Sequence, residues 1–323
     1  MKLCIYGAGA IGGYLATKLA RSGYDVSVVA RGENLKALQE NGFKLIIENK
    51  EEVALVKAMQ EIPTEKQDYV FVTTKASSLY SIANNLGELA RKGTHIVTAM
   101  NGIPHWYFFG LKNKWSNENL NTLDPSKLLS KTIPLESIIG TVVYPACELI
   151  APGVVNHVSG NRFSLGEPNG EITDRVKTLS EILTKAGFRA PVRRNLRDEI
   201  WVKLWGNVAF NPISVLTGST LEEICKDPGT FDLARQIMLE AQAVGEEVGA
   251  HFPIKLEKRI AGVASVGAHK TSMLQDFEMG KKMEVDAIVS SVKELGEIVK
   301  IPTPKIDLIL SLLKQRAKNS GCY

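Results

Sequence analysis

Residues 2–12 read Lys-Leu-Cys-Ile-Tyr-Gly-Ala-Gly-Ala-Ile-Gly: a short apolar run, then glycine at 7, 9 and 12. The run fits a buried strand, and Ile11, Leu15 and Leu19 recur at helical spacing behind the glycines. Ser22-Gly23 ends that helix, and Asp25–Ala30 (Asp-Val-Ser-Val-Val-Ala) reads as a second strand. Gly7-Ala8-Gly9-Ala10-Ile11-Gly12 is therefore a G-x-G-x-x-G turn inside a strand–helix–strand unit, the context that gives this short motif its meaning. The first glycine permits the tight turn, the second lets a pyrophosphate approach the backbone, and the third lets helix pack closely on strand. The phosphates would face the helix N-terminus, where unpaired N–H groups favour an anion. A dinucleotide is the expected ligand.

The end of the second strand decides which dinucleotide. A site for the unphosphorylated cofactor places Asp or Glu there to accept from the ribose hydroxyls. Here Arg31 and Gly32 occupy that end, while Asp25 lies at the other end of the strand. The forked donors of a guanidinium suit a 2′-phosphate, so NADP(H) is favoured, with Glu33 as the nearby acid that could still reach a ribose.

The alternation continues outward. Residues 44–57 look like a β-ribbon, Tyr69–Thr73 a strand, Ser78–Arg91 a helix and His95–Ala99 a strand. Asn101-Gly102 follows at a carboxyl end, where ligands of open sheets bind. Strands are expected again at Ile138–Tyr144, Gly153–His157 and Arg162–Leu165, a helix at Ile172–Ala186, and a final strand at Pro191–Asn195. Such interleaving predicts a doubly wound parallel sheet. Residues 112–136, dominated by Asn, Ser, Lys and Pro, read as an exposed, mobile loop interrupting it.

Beyond about 195 the pattern turns to helices, expected at 196–210, 212–217, 230–249, 254–262, 272–299 and 304–318. The expected organisation is a Rossmann-type α/β domain over 1–194 and an all-helical domain over 195–323, with a cleft between them. A chain of 323 residues accommodates two such cores.

The bulk numbers exclude several classes. Lys and Arg number 39 against 35 Asp and Glu, and this small excess is spread along the chain, so neither nucleic acid nor a membrane surface is an expected partner. No apolar run reaches the roughly 18 residues that span a bilayer. Cys4, Cys147, Cys225 and Cys322 include no Cys-x-x-Cys pair, so neither a zinc site nor a disulfide framework is expected and cytoplasmic residence is.

Lys203, Asn207 and Asn211 recur every four residues in Lys-Leu-Trp-Gly-Asn-Val-Ala-Phe-Asn-Pro, so in a helix they share one face. A solvated polar stripe is one reading. A ligand-facing stripe is the other, and asparagine suits it because the amide both donates and accepts. A second cluster, Thr271-Ser272-Met-Leu-Gln-Asp276, has Glu284 further along, placed loosely on the same helix face as Asp276.

Taken together these segments resemble the ketopantoate reductase family over almost the whole chain. The resemblance rests on the Gly7–Gly12 turn, Arg31, Lys75 in Val-Thr-Thr-Lys, Asn101-Gly102, the Lys203–Asn207–Asn211-Pro212 stripe, Ser272-Met-Leu-Gln-Asp276 and Glu284. It implies a helical domain like the C-terminal domain of 6-phosphogluconate dehydrogenase, and NADPH-dependent reduction of a small 2-oxo acid, by default 2-dehydropantoate to (R)-pantoate. It makes Lys203 the general acid, Asn207, Asn211 and Ser272 the substrate ligands, and Arg31 with Lys75 the 2′-phosphate site. Asn101 would lie between nicotinamide and substrate, and Glu284 would contact either and position the lysine. No metal is implied, and a homodimer is compatible.

The chain departs from the family pattern in three places. No asparagine follows the stripe within Ile213–Leu221, an aromatic run, Pro-His105-Trp-Tyr-Phe-Phe109, follows Asn101-Gly-Ile, and the polar segment 112–136 is inserted. These bear on the substrate, leaving a different bulky 2-oxo acid as one alternative. His105 reads as a surface or stacking histidine, or else a second acid. A non-catalytic NADP(H) sensor is the alternative from another class, and it has no need of the lysine–asparagine set. A 6-phosphogluconate or 3-hydroxyacid dehydrogenase relative would share the layout but need its own motif, which is not found.

Overall fold

Leu3, Cys4, Ile5 and Tyr6 are buried on both faces of their strand, which places β1 (Lys2–Tyr6) in the interior of a covered parallel sheet. The computed structural model describes all of residues 1–323, and they divide into two compact units. The first comprises residues 1–100, 109–111 and 127–196.

Within it, β1 leads through α1 (Ala10–Arg21) to β2 (Asp25–Val29) and α2 (Gly32–Asn41). Then come β3 (Phe43–Ile47), β4 (Lys50–Ala54), β5 (Lys57–Met59), β6 (Tyr69–Val72), α3 (Leu79–Arg91) and β7 (His95–Thr98). The unit is completed by α4 (Leu128–Thr132), β8 (Ile138–Val143), β9 (Ala146–Ala151), β10 (Val154–Ser159), β11 (Phe163–Gly166) and α5 (Asp174–Lys185). The main sheet has the order β11-β8-β7-β6-β1-β2-β5, with only β11 antiparallel to its neighbour. Leu3 pairs with Val26 on one side and Tyr69 on the other, so β1 is central and β2 and β6 flank it.

A second, four-stranded sheet in the order β4-β3-β10-β9 lies on α1. The approach is close enough that a Cβ on Gly13 would come within 2.6 Å of Val155 and 2.8 Å of Phe43. The ribbon expected at 44–57 is thus the β3–β4 hairpin, whose neighbour β10 pairs with β3 in parallel. Pro191–Asn195 is not a strand; Val192 makes a single isolated bridge to Leu165.

The second unit holds residues 101–108, 112–126 and 197–323. Its helices are α6 (Leu196–Thr217), α7 (Leu221–Lys226), α8 (Pro228–Glu247), α9 (Leu256–Ala264), α10 (Ser272–Glu278), α11 (Ser291–Val299) and α12 (Pro304–Asn319). A π-helical turn over Asp286–Ser290 precedes α11. Three sequence expectations are corrected here. α6 runs unbroken through Pro212 rather than stopping at 210. The stretch 272–299 is two helices separated by an extended link, because Gly280 takes a left-handed φ of +64° that ends α10.

The third correction concerns 101–126. Trp106, Tyr107 and Phe108 are buried in the helical unit's core, where the Trp201 indole donates to the Tyr107 hydroxyl at 2.7 Å and Arg197 Nε to the Tyr107 carbonyl at 2.8 Å. His105 is buried and unstacked, and burial pushes its pKa down to about 4, so it stays neutral and offers no acid. Nor is 112–126 a free loop. The Trp115 indole donates to the Glu247 carbonyl at 3.1 Å, Asn113 to the Val248 carbonyl at 3.1 Å, and the backbone N–H groups of Asn121 and Thr122 to the Glu294 carboxylate at 2.6 and 2.9 Å. Leu120 and Leu123 are buried beside them. Polar composition suggested solvation, but these polar groups are spent on α8 and α11.

No helix is long and apolar enough to cross a membrane.

Candidate active site

The glycine turn has the shape its sequence requires. Gly7 sits at φ +119°, a conformation that side chains disfavour. A Cβ on Gly12 would lie 1.9 Å from the Gly7 carbonyl oxygen, so only glycine lets α1 start there. A Cβ on Gly9 would meet nothing within 4 Å, which leaves open space over the helix N-terminus. Gly9 caps α1 without a side-chain hydrogen bond, and no acid occupies the first turn, so the positive end of the helix stays available to an anion. Ala8 is buried, Ala10 and Ile11 are half-buried, and the Thr73 hydroxyl donates to the Gly7 carbonyl at 2.8 Å, tying the turn to the end of β6. These residues fit a dinucleotide pyrophosphate.

Arg31 follows β2 as the exposed N-cap of α2, and Lys75 follows β6 at the start of a 3₁₀ turn. Both therefore stand at carboxyl ends of the two strands that flank β1. Strands lie about 4.8 Å apart, so roughly 10 Å separates the two chain ends, a span that two long cationic side chains can close around one phosphate. Glu33, the acid that could have reached a ribose, pairs with Lys36 at 3.4 Å.

The helical unit assembles a second constellation. Gly102 sits at φ +82°, and a Cβ there would lie 2.2 Å from the Ala287 carbonyl oxygen. The Ile103 N–H donates to that same oxygen at 2.8 Å. This close clip fastens the segment after β7 to the π-helical turn and brings Asn101 beside Glu284. The Asn101 amide then works in both directions. Lys203 Nζ donates to its Oδ1 at 2.6 Å, and its Nδ2 donates to Glu284 Oε2 at 3.1 Å. An amide is suited to this link because one end must accept from an ammonium while the other donates to a carboxylate.

Glu284 is not on a helix shared with Asp276, contrary to the sequence reading; it lies in the extended link after α10. There the Met283 N–H donates to the Cys322 carbonyl at 2.8 Å, which braces the link against the end of the chain. Lys203 itself is carried by α6, whose opposite face holds Trp201 and Trp205, both fully buried. Burial disfavours its charged form and pushes its pKa down to about 8, against an opposing pull from the Glu284 charge. An ammonium with its pKa lowered toward neutrality, held by an amide and steadied by a carboxylate, has the chemistry to donate a proton.

Asn207 and Asn211 follow at one-turn intervals on α6, half-buried and buried respectively, so the stripe is not a solvated face. Ser272 is the first residue of α10. The structure thus joins Lys203, Asn101 and Glu284 by direct hydrogen bonds, and sets Asn207 and Asn211 in line with the lysine. The clip at Gly102 and the brace at Met283 were not visible in the sequence, because each depends on a carbonyl far along the chain.

The chain is similar to known proteins along its length. The family model described as ketopantoate reductase PanE/ApbA matches residues 3–106, and its C-terminal counterpart matches residues 195–317. A 2-dehydropantoate 2-reductase of Mesorhizobium japonicum is 52% identical over 325 residues, covering 100% of both chains. The enzyme of the same name from Archaeoglobus fulgidus is 29% identical, covering 91% of this chain and 90% of the other. Among solved structures, a protein of Ralstonia solanacearum MolK2 provisionally assigned as a ketopantoate reductase is 38% identical and superposes with a TM-score of 0.95 over 100% of this chain and 99% of the other. The 2-dehydropantoate 2-reductase of Geobacter metallireducens GS-15 is 27% identical, with a TM-score of 0.85 over 98% and 99%.

Proposed function

This chain belongs to the ketopantoate reductase family, and we propose that it reduces 2-dehydropantoate to (R)-pantoate at the expense of NADPH. The observation that carries the reading is the Lys203–Asn101–Glu284 hydrogen-bonded chain, with the lysine poised at about 8. A sensor would gain nothing from a buried ammonium tuned to release its proton.

When bound, the reduced nicotinamide supplies a hydride to the substrate's carbonyl carbon. Lys203 provides what the carbonyl oxygen needs. Its charge stabilises negative charge developing on that oxygen, and its Nζ proton converts the oxygen to a hydroxyl. Proton and hydride together account for the two hydrogens gained, and neutral Lys203 recovers its proton from solvent. Asn101 fixes the direction in which Nζ points, and Glu284 keeps enough negative charge nearby that the lysine remains protonated at neutral pH. Asn207, Asn211 and Ser272 hold the substrate's carboxylate and hydroxyl, and the Gly7–Gly12 turn holds the pyrophosphate while Arg31 and Lys75 hold the 2′-phosphate.

Burial of Trp106, Tyr107 and Phe108 in the core weighs against the aromatic run as a reason for expecting a bulkier substrate. Cytoplasmic residence and a homodimeric assembly, with no nucleic-acid partner, complete the reading.

The test is NADPH consumption against a panel of 2-oxo acids. A kcat/KM for 2-dehydropantoate of about 10⁴ M⁻¹s⁻¹ or more, above every other member of the panel, is expected. Lys203→Ala should abolish turnover while NADPH still binds. A clear preference for another 2-oxo acid would overturn the substrate, and undiminished turnover by Lys203→Ala would overturn the acid.

A further inference from the structure

The two groups assigned to the substrate at the far end of the site come from different helices, Asn211 from α6 and Ser272 from α10. Something must fix their separation. Ser214, one turn beyond Asn211, is fully buried, and its Oγ lies 2.5 Å from Thr271 Oγ1, also buried. The Ser214 hydroxyl donates to the Asn211 carbonyl at 2.8 Å. A serine hydroxyl has a single proton, so with that proton spent it can only accept from Thr271. The Thr271 proton is then spent too, which leaves its oxygen free to accept from the Leu274 N–H at 3.2 Å and so cap α10. One arrangement of protons satisfies all three bonds: Leu274 N–H to Thr271, Thr271 to Ser214, Ser214 to the carbonyl of Asn211.

The relay starts at the backbone of Asn211 and ends at the residue immediately before Ser272. A second tie runs from the Leu221 N–H, at the start of α7, to the His269 carbonyl at 2.9 Å, so the segment entering α10 is held both to α6 and to the helix that follows it. Each hydroxyl in the relay is buried and fully used. Deleting one leaves its neighbour with a buried polar group unpaired and the two helices free to shift.

We propose that Ser214 and Thr271 form a hydroxyl lock that sets the spacing of Asn211 and Ser272 and thereby the affinity for the 2-oxo acid. They are positioning residues, and neither is assigned a contact with substrate or cofactor. The proposal rests on the assignment of Asn211 and Ser272 to the substrate. Displacing a binding group by a fraction of an ångström weakens the contacts it makes without altering Lys203 or the glycine turn, so the loss should fall on KM and spare the cofactor.

The experiment measures KM for 2-dehydropantoate, kcat, and the NADPH dissociation constant in Ser214→Ala, Ser214→Thr, Thr271→Val and the Ser214→Ala/Thr271→Val pair. Ser214→Ala and Thr271→Val should each raise KM about 10-fold or more, with the NADPH dissociation constant within about 2-fold of the unaltered protein. Ser214→Thr keeps the hydroxyl and should hold KM near its original value. The double variant should raise KM little beyond either single one, since both break the same relay. Should Ser214→Ala fail to fold, Thr271→Val and Ser214→Thr carry the same comparison. An unchanged KM in Ser214→Ala and Thr271→Val, with the unaltered protein active, overturns the lock alone. So does a loss shared equally between substrate and NADPH, which a general weakening of the fold would give. Absence of 2-oxo acid reduction by the unaltered protein overturns the assignment on which the lock rests.

Discussion

Replacing Lys203 by methionine should change the pH dependence of stability by an amount the structure sets. The side chain is held at about 8 in the folded protein by burial, against about 10.4 in an unfolded chain. Below pH 8 both forms carry the proton, and the folded state bears the full penalty of a desolvated ammonium, about 3 kcal/mol at 1.36 kcal/mol per pH unit. Between pH 8 and 10.4 the unfolded chain binds more protons than the folded one, so stability rises with pH and the penalty shrinks to below ~1 kcal/mol at pH 10. Lys203 keeps partial solvent contact, which trims the expected change to about 2 kcal/mol. Methionine has similar length and no charge, so the difference between the two proteins isolates this ionisation. Loss of the bond to Asn101 adds an offset that is constant across this range and cancels.

The assay is built into the fold. Trp106, Trp115, Trp201 and Trp205 are the four tryptophans, and all belong to the helical unit. Denaturant unfolding followed by tryptophan fluorescence therefore reports the unit that contains Lys203. Any stability advantage of Lys203→Met at pH 7 should diminish by about 2 kcal/mol by pH 10, as the unaltered protein gains on it. A gap constant to within ~0.5 kcal/mol across that range would refute the claim that burial holds this lysine near 8.

Three further outcomes follow from the residues assigned to substrate and cofactor. Because Lys203 must carry its proton to act, kcat/KM for reduction should fall above about pH 8, and Glu284→Gln, which removes the charge holding the lysine up, should move that fall to lower pH; steady-state rates across pH 6–10 check both. Arg31→Ala should weaken NADPH about 10- to 100-fold while changing NADH little, because a charge-assisted bond to a 2′-phosphate exists only for NADPH; fluorescence titration with each cofactor measures it, and equal losses would show that Arg31 reads some other group.

Much of the molecule was legible from local pattern. The glycine turn spans six residues; Gly7 is required by its backbone conformation and Gly12 by the nearby Gly7 carbonyl, and the strand before them shows itself in its apolar run. The Lys203–Asn211 stripe was legible because a helix maps spacing in sequence onto one face. Reading went wrong where a segment's partners lie elsewhere. Residues 112–126 looked solvated because their composition is polar, yet their indole, amide and backbone donors end on Glu247, Val248 and Glu294. The aromatic run at 105–109 could have lined a pocket or filled a core, and only packing against Trp201 and Arg197 distinguishes these.

The sequence by itself determined a dinucleotide fold, an arginine rather than an acid at the end of the second strand, and a lysine in line with two asparagines, since each is a matter of neighbouring residues. Only the tertiary structure buries the lysine and gives it the partners that suit it to the acid role proposed for it. Asn101 lies 102 residues from Lys203 and 183 from Glu284, and no periodicity spans such distances. What joins them is the missing side chain of Gly102, which lets one backbone reach the carbonyl of Ala287, and the desolvation that only a packed helical unit imposes on an ammonium.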